Sequence, residues 1–257
     1  MDGLAIARER IAREAEAQTG VLDLGGLGLS ELPEELFALK HLRSLNLGST
    51  STQTRDRRFS WRKPAEANRL GRQANRLFEL TSLEELDLEW TDQESLAGIE
   101  RLPNLQTLDC SNTHVSDLAP IAALANLQTL SCLSTQVSDL AAIAALANLQ
   151  TLDCSNTQAS DLAPIAALAN LQTLYCFNTQ VSDLAPFAAL ANLQALDCSN
   201  TQVSDLAPIA ALAKMQSSQF SNARIERSVT RCSKISAKRQ ESIVPTPCWL
   251  ICTTPAL

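Results

Sequence analysis

Aromatic side chains are scarce in this chain: one Tyr, three Trp and six Phe among 257 residues. The apolar share is nevertheless 45%, so Leu and Ala carry it, and a repetitive core is expected rather than an irregular one built around large rings. Basic residues are all but missing from the middle. Between residues 77 and 213, 16 acidic side chains stand against Arg101 alone, a net −15. The flanks carry +3 (1–76) and +5 (214–257), which leaves −7 overall. So acidic a segment repels phosphate backbones, and no nucleic acid is expected on it. Nothing approaches the ~20 apolar residues that span a bilayer, so no membrane partner is expected. The start, Met-Asp-Gly-Leu-Ala-Ile-Ala-Arg-Glu-Arg, lacks the apolar stretch and cleavage site of a secretory signal. Together with eight cysteines, this leads to the expectation of a reducing, cytoplasmic setting.

What the chain does have is an internal repeat. Asn104, Asn126, Asn148, Asn170 and Asn192 recur every 22 residues, as do Cys110, Cys132, Cys154, Cys176 and Cys198. One copy reads Leu-Gln-Thr-Leu-Asp-Cys-Ser-Asn-Thr-Gln-Val-Ser-Asp-Leu-Ala-Pro-Ile-Ala-Ala-Leu-Ala-Asn. Counted from the first Leu, the apolar residues fall at positions 1, 4, 6, 11, 14, 17 and 20. This is a leucine-rich pattern with Cys at the third Leu place and Thr where Asn is more usual. Positions 4 and 6 share one face of a strand, whose side chains alternate. Positions 14, 17 and 20 share one face of a helical or 3₁₀ return. Asp117, Asp139, Asp161, Asp183 and Asp205 stand where an N-cap belongs, and Pro120, Pro164, Pro186 and Pro208 follow where a missing N–H does no harm. Asn at position 22 is expected to adopt a left-handed conformation and end the return. One such unit cannot bury enough surface to offset its own ordering entropy, so neighbouring units must stack.

The register extends backwards. Leu83, Leu86, Leu88, Thr91, Leu96, Ile99 and Leu102 make a turn without the cysteine. Leu42, Leu45, Leu47 and Thr50 begin another, and Leu22, Leu24, Leu27, Leu29, Leu32, Leu36 and Leu39 an earlier one. The 41 residues from Leu42 to Leu83 are one repeat plus an insertion of 19, placed at about 51–75 and rich in Arg. Residues 1–19 read as an N-terminal capping helix with Leu4, Ile11 and Ala15 on one face, and residues 20–213 as the repeat domain. Residues 214–257 read as a degenerate last repeat, carried by Met215, Phe220 and Ile225, followed by an irregular tail. The fold class is therefore α/β: a leucine-rich-repeat solenoid of about eight turns, with a parallel β-sheet on the concave face and short helical or 3₁₀ returns on the convex one.

At these residues two resemblances stand out. The Val-Ser-Asp-Leu-Ala-Pro-Ile-Ala-Ala-Leu-Ala-Asn-Leu segments resemble the 22-residue repeats of bacterial internalin-type proteins, over about residues 20–213. Leu22–Leu47, with Leu-Pro-Glu-Glu-Leu at 32–36, looks like the N-terminal repeats of bacterial Roco (Roc-COR) proteins, which place a Ras-like GTPase after the repeats. No Gly-x-x-x-x-Gly-Lys-Ser/Thr phosphate loop occurs in this chain, so on that resemblance the GTPase would lie outside it.

No catalytic residue, metal ligand or cofactor is expected. Side chains in the cysteine row point the same way, so four sulfurs cannot converge on a zinc ion. Parallel Cβ vectors about 4.8 Å apart also exceed what a disulfide prefers. The row therefore reads as small core hydrophobes. Cys232, Cys248 and Cys252 in the tail lack a nearby His. His41 and His114 are isolated and read as surface residues. The signal lies where the copies differ. Position 5 reads Asp87, Asp109, Ser131, Asp153, Tyr175, Asp197, and position 7 reads Glu89, Ser111, Leu133, Ser155, Phe177, Ser199, with Trp90 beside it. Both rows are expected to face outward on the concave side. Apolar and aromatic anchors on an acidic face suit a protein partner, most naturally a basic one. The expected function is non-catalytic protein recognition; the alternative is the regulatory repeat region of a larger Roco-type GTPase.

Overall fold

The computed structural model describes residues 2–48, 66–205 and 207–208. Its frame is eight strands of three residues: β1 (Val21–Asp23), β2 (Ser44–Asn46), β3 (Glu85–Asp87), β4 (Thr107–Asp109), β5 (Thr129–Ser131), β6 (Thr151–Asp153), β7 (Thr173–Tyr175) and β8 (Ala195–Asp197). They form one parallel sheet in chain order. The central leucines Leu108, Leu130, Leu152 and Leu174 are register partners from strand to strand. Each step of the repeat thus returns the chain to the same place one strand further on.

The returns are 3₁₀ helices, such as Ala119–Ala123, Ala141–Ala145, Ala163–Ala167 and Ala185–Ala189. Five residues suit the tighter helix, which is used in short pieces. The aspartates act as expected: Asp117, Asp139, Asp161 and Asp183 each accept the backbone N–H two residues on at 2.7 Å. The asparagine expectation is corrected. The left-handed residue of each turn is at position 8, with φ of 56° at Asn112 and 55° at Ser134, not at position 22. The position-22 asparagines instead bind neighbouring turns together. Asn126 Nδ2 donates to Pro103 O and Asn148 Nδ2 to Ala125 O, both at 2.9 Å, and Asn170 and Asn192 continue the ladder. A side-chain amide can satisfy a carbonyl on the preceding coil, which the return's own backbone leaves open.

The core consists of stacked rows. Leu at positions 1, 4, 14 and 20, Ile or Phe at 17, and Cys at 6 are buried in every turn from 105 to 193. The five ladder cysteines are free thiols. Thr at position 9 is buried and satisfies itself locally: Thr113 Oγ1 donates to Cys110 O and Thr135 Oγ1 to Cys132 O, each at 2.6 Å.

Helix α1 (Gly3–Ala17) packs on the first turn. Asp2 caps its start by accepting from Leu4 N, and left-handed Gln18 (φ 49°) closes its end. Its buried stripe is Ala7, Ile11 and Glu14. Ala15, assigned to that face from sequence, is exposed instead. Glu14 is fixed by Thr19 Oγ1, by Gly20 N–H at 2.6 Å and by His41 Nε2 at 2.9 Å. Burial would push this carboxyl up, but the hydrogen bonds from Thr19, Gly20 and His41 hold it below its ordinary value. His41 is therefore a half-buried partner of the helix, not an isolated surface residue.

Part of the segment read as insertion belongs to the solenoid. A 3₁₀ helix runs over Gly71–Glu79. Asn68, 1% exposed, donates to Leu24 O (2.9 Å) and Leu47 O (2.8 Å) and accepts from Leu29 N (2.8 Å). It joins three stretches of the first two turns. Residues 49–65, the degenerate repeat with Met215, Phe220 and Ile225, and the tail with Cys232, Cys248 and Cys252 lie outside the described residues.

Candidate interaction face

The strands set the geometry of the face. Each covers only positions 3 to 5, so one side chain points inward between two that point outward. The inward row is Leu, fully buried. The outward rows are position 3, with Glu85, Thr107, Thr129, Thr151 and Thr173, and position 5, with Asp87, Asp109, Asp153, Tyr175 and Asp197, all half-buried. Ser131 at position 5 and Ala195 at position 3 are buried exceptions.

Position 7 departs from the expectation. Ser111, Ser155, Ser199 and Glu89 are all buried, between 0% and 8% exposed. Period-two alternation holds only within a strand, and each strand ends at position 5; the chain then turns through the left-handed residue at position 8. Small side chains at position 7 are thereby tucked under the edge of the sheet. The larger Leu133 and Phe177 stay half-exposed there. Trp90 occupies the left-handed position itself, with φ 61°, and its indole N–H is buried without a hydrogen-bond partner. It is a turn residue and does not belong to the outward strand rows. The position-3 threonines were missed from sequence because only varying positions were weighed; the alternation itself places them beside position 5.

Electrostatically the face is a row of carboxylates. Asp87, Asp109, Asp153 and Asp197 each turn one oxygen onto the N–H two residues on, at 2.9 to 3.0 Å. Where Ser131 replaces the aspartate, its hydroxyl pairs instead with Ser111 Oγ at 2.6 Å. Tyr175 lies in register between Asp153 on one side and Asp197 on the other. Behind the sheet, burial first, then the charge of Asp109 or Asp153, pushes the Cys110 and Cys154 thiols far up. Among the described residues no three His, Cys, Asp or Glu groups come together as a metal site, and no helix is long and apolar enough to cross a membrane.

This arrangement, a stacked parallel sheet with one short return per 22 residues, is that of a leucine-rich-repeat solenoid. Comparison with known proteins agrees. A family model described as "Leucine Rich repeats (2 copies)" matches residues 103–144, 125–167 and 169–211. Among solved structures, internalin C2 of Listeria monocytogenes is 29% identical, with a TM-score of 0.61 over 75% of this chain and 76% of that one. The leucine-rich-repeat protein LIC12759 of Leptospira interrogans shares the fold at 24% identity and TM-score 0.59, over 79% of this chain and 55% of its own. Internalin F of Listeria monocytogenes does so at 22% identity and TM-score 0.53, over 80% and 72% respectively. A search of curated protein sequences finds no match. The repeats are leucine-rich and similar to those of internalin C2, and leucine-rich-repeat domains are typically protein-interaction modules.

Proposed function

We propose that this chain is a non-catalytic recognition module that holds a basic protein partner on the concave, strand-lined face. The observation that carries the reading is the composition of that face. Half-exposed Leu133, Tyr175 and Phe177 stand among the half-exposed carboxylates of Asp87, Asp109, Asp153 and Asp197. Arg101, in the return Ile99–Arg101, is the one basic side chain between residues 77 and 213. Partly exposed aromatics are the side-chain type that dominates binding hot spots, and a one-sign field speeds encounter with the opposite sign. The buried Glu89, Ser111, Ser131, Ser155 and Ser199 support the face from beneath and are not assigned contacts. A reducing compartment such as the cytoplasm suits the five free ladder thiols. The Roco-type alternative rests on the Leu22–Leu47 segment alone and gains no second observation.

The test is affinity capture from the native cell followed by calorimetry on the captured protein. The double variant Tyr175→Ala/Phe177→Ala is expected to weaken binding by at least about tenfold, the cost of truncating hot-spot side chains. Unchanged affinity would remove this face as the binding surface.

A further inference from the structure

The third turn of the coil, residues 83–104, departs from the later turns at several places at once. At position 11, where Val115, Val137, Ala159, Val181 and Val203 are buried core, it carries Gln93, 3% exposed. The Gln93 amide nitrogen donates to Ser95 O and, at 3.4 Å, to Asn75 Oδ1, but the side-chain oxygen is buried with no partner. At position 8 the later turns place Asn or Ser in the left-handed conformation, and this one places Trp90, with φ 61°. That conformation is costly for a bulky side chain, whereas a short polar one offsets part of the cost by bonding locally. The Trp90 indole N–H is itself buried and unpaired. At position 22 the amide ladder misses a rung. Asn126, Asn148, Asn170 and Asn192 each reach a carbonyl 23 residues back, but among the described residues Asn104 makes no such bond. The return is also shorter, three residues at Ile99–Arg101 against five in the turns that follow.

The stability of a solenoid is a sum of terms within turns and terms between neighbours, so cooperativity breaks at a turn poor in both. Besides the β2–β3 pairing and the leucine rows, what holds the third turn to the second is polar. Asp92 accepts from Leu70 N at 2.7 Å, and Ser44 Oγ donates to Glu85 Oε2 at 3.0 Å. Water replaces such bonds when they open, so their net contribution is small. Opening also lets water reach the Gln93 oxygen and the Trp90 N–H, and it relieves the backbone at Trp90. We infer that the third turn is a joint at which the coil opens ahead of the turns from β4 onward. It releases α1 and the first two turns from the segment that carries Leu133, Tyr175 and Phe177. That segment stays folded while the capped end comes away, whatever partner the face takes.

The repeat supplies its own probes. Leu47 N to Asp87 O, Leu88 N to Asp109 O, Cys110 N to Ser131 O and Cys132 N to Asp153 O are one hydrogen bond on four successive turns, at 2.7 to 2.9 Å. Amide exchange of the full chain under native conditions is read by NMR, each site being normalised to its unfolded rate. The expected result is a step: Leu47 and Leu88 share a low protection, and Cys110 and Cys132 share one on the order of thirtyfold higher, as two buried unsatisfied groups together imply. Gln93→Val restores the residue of the later turns, and the carbonyl of exposed Ser95 then turns to water. Trp90→Phe keeps an apolar ring and removes the N–H. Each is expected to narrow the step by about fivefold. Narrowing by one of them alone keeps the joint and assigns its cause to that residue. Equal protection at all four sites, a smooth rise turn by turn from the N-terminal end, or a step that neither substitution narrows overturns the joint.

Discussion

Asn68 ties the first two turns of the coil together, and its replacement tests the packing argument quantitatively. Its side chain is buried and makes three hydrogen bonds at 2.8 to 2.9 Å, to Leu24 O, Leu47 O and Leu29 N. A neutral intramolecular bond contributes about 0.5–1.5 kcal/mol net, so Asn68→Ala is expected to cost about 3 kcal/mol. That lowers the folded-to-unfolded ratio on the order of a hundredfold. Asn68→Asp keeps the acceptor for Leu29 N but sets a buried charge against two carbonyl oxygens, so its loss exceeds that of Ala. Urea unfolding followed by circular dichroism reads the total. Native-state hydrogen exchange reads its location: because repeat stability is a sum of near-neighbour terms, the Leu29 amide exchanges faster while that of Thr151 is unaffected. A loss under about 0.5 kcal/mol for Ala, or an Asp variant more stable than the Ala one, would refute the bonding scheme.

Three further outcomes follow from the same geometry. Ser155→Ala removes a buried hydroxyl that has no partner and is expected to leave stability unchanged or raised, whereas Ser111→Ala strands Ser131 and costs about 1–3 kcal/mol; thermal melts of the pair compare them. The five ladder thiols are expected to resist an aromatic disulfide reagent in the native state and to react in urea, scored by peptide mass spectrometry, because burial disfavours the thiolate; native labelling of Cys110 or Cys154 contradicts this. Glu14 has a depressed folded-state pKa, so the stability it lends to docking of α1 is fully present above its unfolded value of about 4.3 and is lost as pH falls through the lower folded value. Protection of the Gly20 amide, its exchange relative to the unfolded chain at the same pH, should fall across that acid range in the native chain and be insensitive to it in Glu14→Gln.

The sheet, its strand order and its core rows were legible in the linear chain because a 22-residue period repeats each choice several times over. Leu at position 4 and Cys at position 6 had to face one interior if turns stacked, and Asp at position 13 had one local N–H within reach. What the period could not supply was the geometry at the ends of each strand. Nothing in the letters says that a strand stops at position 5, yet that stop buries Ser111, Ser155, Ser199 and Glu89, which alternation had placed outside. Nor does the asparagine at position 22 announce that its amide reaches the preceding coil, because that carbonyl comes near only after two turns have stacked. The same holds for Glu14 with His41, 27 residues apart, and for Asn68, whose partners Leu24 and Leu47 lie 44 and 21 residues away. Local pattern specifies the repeating unit, since each unit's polar and apolar spacing is self-contained. Contacts between units, and the identity of the surface they leave to solvent, arise only when the units meet.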